Sequence, residues 1–202
     1  MAMNGTFKKI SVSTLAFCFI FVSAITGCRR SSPQKANTPA EDTTSGISKS
    51  LNKIISGRKG WNPILKDFYG KAAADFTVTD ITGKTHKLSD YKGKDVLVVF
   101  WATWCQPCVL EIPHLVALRD IMGEDKLAIL AISNEPAELV RKMAKDKDIN
   151  YTAISYQGVL SEPFNQIRAI PSSFFIRPDG TLKLAVEGMS HLGEMKAIIL
   201  AE

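Results

Sequence analysis

The run Asp95 to Phe100, DVLVVF, ends at Trp101-Ala102-Thr103-Trp104-Cys105-Gln106-Pro107-Cys108, and this junction constrains the chain more than any other stretch. A β-branched run without polar alternation suits a strand covered on both faces of an open α/β sheet. Cys105 then opens the next helix, where unpaired backbone N–H groups and the positive end of the helix dipole favour thiolate over thiol. Only the thiolate attacks a disulfide, so placement becomes reactivity. Cys108 follows at i+3 on the same side of the first turn, close enough to close a small ring with Cys105. Cys105 is expected to be exposed at the helix N-terminus, with Cys108 one turn deeper.

A bare Cys-x-x-Cys also occurs in zinc sites and as two core cysteines. A zinc site needs four ligands. No second cysteine pair lies nearby, and His86, His114 and His191 are scattered singly, so redox chemistry is favoured and no metal or other cofactor is expected.

The N-terminus carries an address. Lys8 and Lys9 precede an apolar segment from Ile10 to Ile25, then Thr26-Gly27-Cys28, the order of charge, apolar run and small residues of an export signal. Sixteen residues is short for a permanent span, although an uncleaved anchor helix is the alternative. Ile25-Thr26-Gly27-Cys28 resembles the bacterial lipobox, in which the cysteine is acylated and becomes the first residue of the mature chain. Residues 1–27 then read as signal peptide and Cys28 as the lipidation site, placing the protein outside the cytoplasm on a bacterial membrane. Of four cysteines, Cys18 falls inside the signal and Cys28 carries lipid, which leaves Cys105 and Cys108 as a working dithiol rather than part of a disulfide scaffold. The net charge of +5 includes two lysines of the signal. With no basic cluster interleaved with aromatics, nucleic acid is not an expected partner.

From Arg29 to about Gly46 the Ser, Thr, Pro, Lys and Asn content is that of a tether. Residues 47–72 form an N-terminal extension, partly helical: Ile47, Leu51, Ile54 and Ile55 have helical spacing, and Trp61, Ile64, Leu65, Phe68 and Tyr69 follow. Such a segment either packs on the main domain, residues 73–202, or faces a partner. Asp75–Thr79 and Thr85–Leu88 read as a β-hairpin. After the dithiol a helix reaches about Met122, with a kink expected near Val109 to Ile112 from Pro113. Leu127–Ser133 is another buried strand. Glu135-Pro136 opens a helix to about Lys147 with apolar face Leu139, Val140 and Met143. Tyr151–Ser155 is a strand and Glu162–Ile167 a short helix; Ser172–Arg177 and Thr181–Glu187 flank the turn Pro178-Asp179-Gly180. Ser190 caps a final helix reaching Leu200. The order β-β-β-α-β-α-β-α-β-β-α implies an α/β fold with a central mixed sheet and helices on both faces.

FWATWCQPC, Glu111-Ile112-Pro113, Ala169-Ile170-Pro171-Ser172-Ser173-Phe174-Phe175 and Pro178-Asp179-Gly180 together resemble the TlpA/ResA branch of the thioredoxin-like family, from about Ala73 to the C-terminus. The resemblance implies a thioredoxin-like fold with an N-terminal β-hairpin and a central βα insertion, and the activity of an extracytoplasmic thiol-disulfide oxidoreductase. It implies that Cys105 attacks, Cys108 resolves and the two form the redox-active disulfide. The Ile170–Pro171 peptide would be cis beside the dithiol, leaving the Ile170 backbone free to pair with an extended substrate, unless Pro171 is a trans turn proline. Trp104 resembles the family's aromatic wall, though a core indole would also fit; Gln106 and Pro107 complete the substrate-facing surface. Cytoplasmic thioredoxins carry a buried aspartate at the position of Val99, whereas here Glu111 matches the active-site acid of ResA-like proteins. A surface glutamate on a helix is the alternative. Ala74, Ser172-Ser173 and Arg177 depart from the family pattern away from the redox pair.

The implied partners are protein disulfides, apocytochrome c among them, a DsbD- or CcdA-type membrane electron transporter, and the lipid bilayer through acylated Cys28. Two rival readings remain. A peroxiredoxin-like peroxidase would place Thr-x-x before its cysteine, and Thr103 stands one residue too close. A copper chaperone of thioredoxin-like fold would have wider cysteine spacing and a distal histidine.

Overall fold

A computed structural model describes residues 49–57 and 63–201. The expected export signal with Cys18, the expected lipidation site Cys28, the expected tether, Ile47 and Trp61 lie outside the described residues. The elements in order are helix α1 (Lys49–Ser56), a 3-10 turn at Pro63–Phe68, strands β1 (Thr77–Thr79) and β2 (Thr85–Lys87), a 3-10 turn at Leu88–Tyr91, strand β3 (Asp95–Phe100), helix α2 (Gln106–Ile121), strand β4 (Leu127–Ser133), helix α3 (Ala137–Asp146), strand β5 (Thr152–Ser155), a 3-10 turn at Phe164–Gln166, strands β6 (Ser172–Ile176) and β7 (Leu182–Glu187), and helix α4 (Leu192–Leu200).

Among the described residues, five strands form the central sheet in the order β5-β4-β3-β6-β7. β3, β4 and β5 run parallel, and β6 and β7 are antiparallel to their neighbours. β3 sits in the middle because both its faces are apolar: Val96, Leu97, Val98 and Val99 are all buried. Each such side chain contributes about 1.5–3 kcal/mol by leaving water. Phe164 and Phe174 close the core with ring centroids 5.1 Å apart, and Phe76 meets Phe164 edge-on at 5.2 Å. Leu51 of α1, with Leu65 and Tyr69 of the following segment, belongs to the same cluster. The N-terminal extension thus packs on the sheet domain rather than standing off it.

Several elements differ from the sequence expectation for identifiable reasons. β1 begins at Thr77, not Asp75, because the Asp75 carboxylate accepts the Ser89 N–H and hydroxyl at 2.9 and 2.8 Å. The third expected helix is a single 3-10 turn. α2 continues as one 16-residue helix through Pro113. Leu139 is exposed, and Val140 carries the buried face of α3. The N-cap of α4 is His191 rather than Ser190. The Ser190 N–H is instead drawn to a carboxylate on α2.

Candidate active site

The carboxyl end of β3 releases the chain into the loop Trp101–Cys105, and α2 takes it up again. Trp101 N–H still donates to Ile132 O at 3.1 Å, the last rung of the β3–β4 pairing. Cys105 is the N-cap of α2, with extended backbone, and its sulfur accepts the Cys108 N–H at 3.3 Å. Pro107 lies in the first turn, where its missing N–H costs nothing because those amides have no intrahelical partner. The two sulfurs are joined as a disulfide, with Cα atoms 5.2 Å apart.

The thiol placement corrects one expectation. Cys105 is only 5% exposed against 2% for Cys108, so the Cys105 sulfur is recessed rather than exposed. The Ile170 carbonyl oxygen lies 3.7 Å from the Cys105 sulfur. A disulfide sulfur has no proton, so this is a contact; the reduced thiol could donate there. The Ile170–Pro171 peptide is cis. Pro171 O accepts the Gly188 N–H at 2.8 Å, but Ile170 N–H and C=O make no backbone hydrogen bond among the described residues. Trp104 is 73% exposed, so it is no core indole. With Trp101, Tyr156, Val159, Phe164 and Ile170 it lines an apolar recess of ≈ 280 Å³. Gln106 and Pro107 are exposed but do not line that recess.

Glu111 is 1% exposed, one turn beyond Cys108 on the inner side of α2, so it is not a surface glutamate. Its Oε1 accepts the Ser190 N–H at 2.7 Å, which ties α2 to the lead of α4. Tyr151 is held far above the usual phenol range, first by burial and then by the Glu111 charge. Val99, the position without an acid, is buried in β3. One turn further along α2, His114 Nε2 lies 3.2 Å from His191 Nδ1. Among the described residues no group of three or more His, Cys, Asp or Glu side chains is arranged to hold a metal ion.

One residue that holds the site loop escaped the sequence reading. Glu135, buried at the end of β4, accepts the Thr103 N–H at 2.6 Å and the Thr103 hydroxyl at 2.7 Å, with the Ser133 hydroxyl at 3.1 Å. It takes over where the backbone ladder stops and holds the loop two residues before Cys105. The available signal was an acid just past a buried strand, at the carboxyl edge of a parallel sheet, where α/β folds place their sites.

Residues 69–185 match the AhpC/TSA family. The thiol-disulfide oxidoreductase ResA of Geobacillus kaustophilus is 36% identical over 121 residues, 59% of this chain and 69% of that protein. Among solved structures, a thioredoxin-family thiol:disulfide interchange protein from Chlorobium tepidum superposes with a TM-score of 0.56 at 25% identity, covering 63% of this chain and 92% of that one. The exposed lipoprotein thioredoxin Etrx1 of Streptococcus pneumoniae gives 0.52 at 26% identity, covering 62% and 98%. The fold is thioredoxin-like, the protein is a thiol-disulfide oxidoreductase, and the chain belongs to the AhpC/TSA family in its ResA-like branch.

Proposed function

We propose that this protein is an exported, lipid-anchored reductase of protein disulfides. The carrying observation is the buried Glu111 carboxylate one turn beyond Cys108, beside a dithiol at a helix N-terminus. The Cys105 thiolate attacks a substrate disulfide, forming a mixed disulfide and releasing one substrate thiolate. Glu111 takes the Cys108 proton, and the Cys108 thiolate then attacks the Cys105 sulfur. Two electrons pass to the substrate, which leaves with both thiols reduced, and Cys105–Cys108 remains as the disulfide. Trp104, Ile170 and Pro171 flank the approach, with the unpaired Ile170 backbone open to an extended peptide and Gln106 and Pro107 at its outer rim.

The export signal and Cys28 support a membrane anchor, as does likeness to a protein described as an exposed lipoprotein. An oxidising compartment would keep a lone dithiol oxidised, so net reduction needs a membrane electron donor, for which a DsbD- or CcdA-type transporter fits. Haem attachment at Cys-x-x-Cys-His requires reduced thiols, which makes apocytochrome c the favoured substrate. Cells expressing the Cys108→Ser variant should accumulate Cys105-linked mixed disulfides that include apocytochrome c, while Cys105→Ser accumulates none. Wild-type protein found mostly oxidised in cells, with a potential nearer about −120 mV than about −270 mV, would reverse the direction of transfer.

A further inference from the structure

The far end of α2 holds a cation that the redox mechanism does not use. Arg119 is 8% exposed, yet its only hydrogen bond among the described residues is from Nη1 to Leu127 O at 2.5 Å, and it forms no ion pair there. A guanidinium carries five N–H donors, and one so buried is ordinarily matched by a carboxylate. The negative end of the α2 dipole offsets part of its charge but supplies no planar partner for the fork.

Arg119 lines a cavity of ≈ 220 Å³ together with Lys84, Lys94, His86, Tyr91 and Glu124. Three basic side chains and one acidic side chain line it, with the Asp80 carboxylate behind His86. His86 and Tyr91 are engaged with each other, Nδ1 to hydroxyl at 2.5 Å, and His86 Nε2 with Asp80 at 2.8 Å, so neither is a spare donor. Lys94 Nζ donates to Glu124 O at 2.7 Å and keeps its remaining protons, and Lys84 is exposed at the rim. The volume lies below the ~300 Å³ at which pockets for drug-sized ligands begin. This size and the basic lining suit a small anion.

We propose that this cavity is a binding site for a tetrahedral oxyanion, phosphate or a phosphodiester headgroup, held by the Arg119 fork with Lys84 and Lys94. Arg matches the edge of such a group with two parallel N–H donors, and the ammoniums supply point charge. Cys105 lies fourteen residues back along the chain, on the order of 20 Å at 1.5 Å per residue, so the site is separate from the dithiol.

The test is calorimetric titration of the full-length chain in nonionic detergent with inorganic phosphate and sulfate at constant ionic strength. Saturable binding at one site is expected, weakened at least tenfold in Arg119→Gln, which keeps a donor for Leu127 O, and several-fold in Lys84→Gln. Lys145→Gln on α3 should bind as wild type. Capture by phosphatidylglycerol vesicles over phosphatidylcholine, reversed by phosphate, would identify the lipid headgroup as the source; no vesicle preference would identify the free ion. Absence of saturable binding to either anion, or equal affinity in Arg119→Gln and Lys145→Gln, would overturn the site. The Lys84 side chain makes no hydrogen bond among the described residues, so its variant keeps the test decisive even where Arg119→Gln loses stability.

Discussion

Glu111→Gln separates the chemistry of the carboxyl group from its structural role. Gln still offers an oxygen to the Ser190 N–H, now 2.7 Å from Oε1, so the α2–α4 link survives. What falls is the difference between a charge-assisted and a neutral hydrogen bond, about 1 kcal/mol. Glu111→Ala instead strands the buried Ser190 N–H, at about 1–3 kcal/mol before any cavity cost. Proton transfer by a positioned side chain is worth about 10²–10⁴ in rate, so the Gln variant should lose at least ~10² in the step that needs the Cys108 thiolate. That step can be isolated. Reduced protein is loaded with glutathione at Cys105, and release of glutathione as Cys108 attacks is followed by stopped flow across pH. In Glu111→Gln the rate should fall at neutral pH and climb with the unassisted Cys108 thiolate fraction into the alkaline range. Reaction of Cys105 with an external disulfide should be little changed. A Gln variant that folds, melts within about 1 kcal/mol of wild type, and releases glutathione with the wild-type pH profile would refute Glu111 as the proton acceptor.

Glu135→Ala should cost about 1 kcal/mol by leaving the partly buried Thr103 N–H to water; it should also slow exchange with protein disulfides, measured by denaturant melts and single-turnover kinetics, and a stability loss without a rate change would make Glu135 purely structural. Trp104→Ala, on a side chain 73% exposed, should shift stability by no more than about 0.5 kcal/mol yet raise KM for a protein substrate far more than for a small disulfide. Burial opposes ionisation of Asp80, but hydrogen bonds from the Thr82 hydroxyl, His86, and the Lys84 and Thr82 amides outweigh it and bring its pKa down to about 2. The carboxylate's contribution is therefore complete above its ordinary value near ~4 and is lost as pH falls through about 2. Melting temperatures of wild type and Asp80→Asn should converge across that window; a constant gap would contradict the assignment.

How far the fold could be read before the structure depended on whether the cause was local. DVLVVF is a buried strand because no polar residue breaks its two faces. Pro178-Asp179-Gly180 is a hairpin turn because Gly180 takes φ 87° and the Asp179 carboxylate accepts the Thr181 N–H at 2.8 Å. Both signals lie within a few residues. Leu139 failed because helical spacing alone cannot say which of two adjacent apolar residues meets the sheet; Val140 does, and Leu139 faces water. Ser190 failed for a longer-range reason. It looked like an N-cap, but its amide bonds to Glu111, 79 residues earlier, and the helix starts one residue later.

The same division runs through the site. Cys105, Cys108 and Glu111 share one helix, so their spacing of three and three is enough to place them on one side of α2. Depth is a different matter, because it depends on what other segments bring over them. Cys105 is recessed because the Ile170 carbonyl approaches from sixty-five residues away, and no spacing within FWATWCQPC encodes that approach. Glu135 is the sharper case. Its chain neighbours describe only a helix start, yet the parallel register that sets Phe100 beside Ile132 carries Glu135 alongside Thr103. Two consequences follow for the thiol. The loop that presents Cys105 is held from β4 by a carboxylate, and its sulfur is screened from the β6 side by a carbonyl. On the proposed function, a substrate disulfide would reach Cys105 past the exposed Trp104 ring, and the Ile170 carbonyl would have to yield its contact with the sulfur.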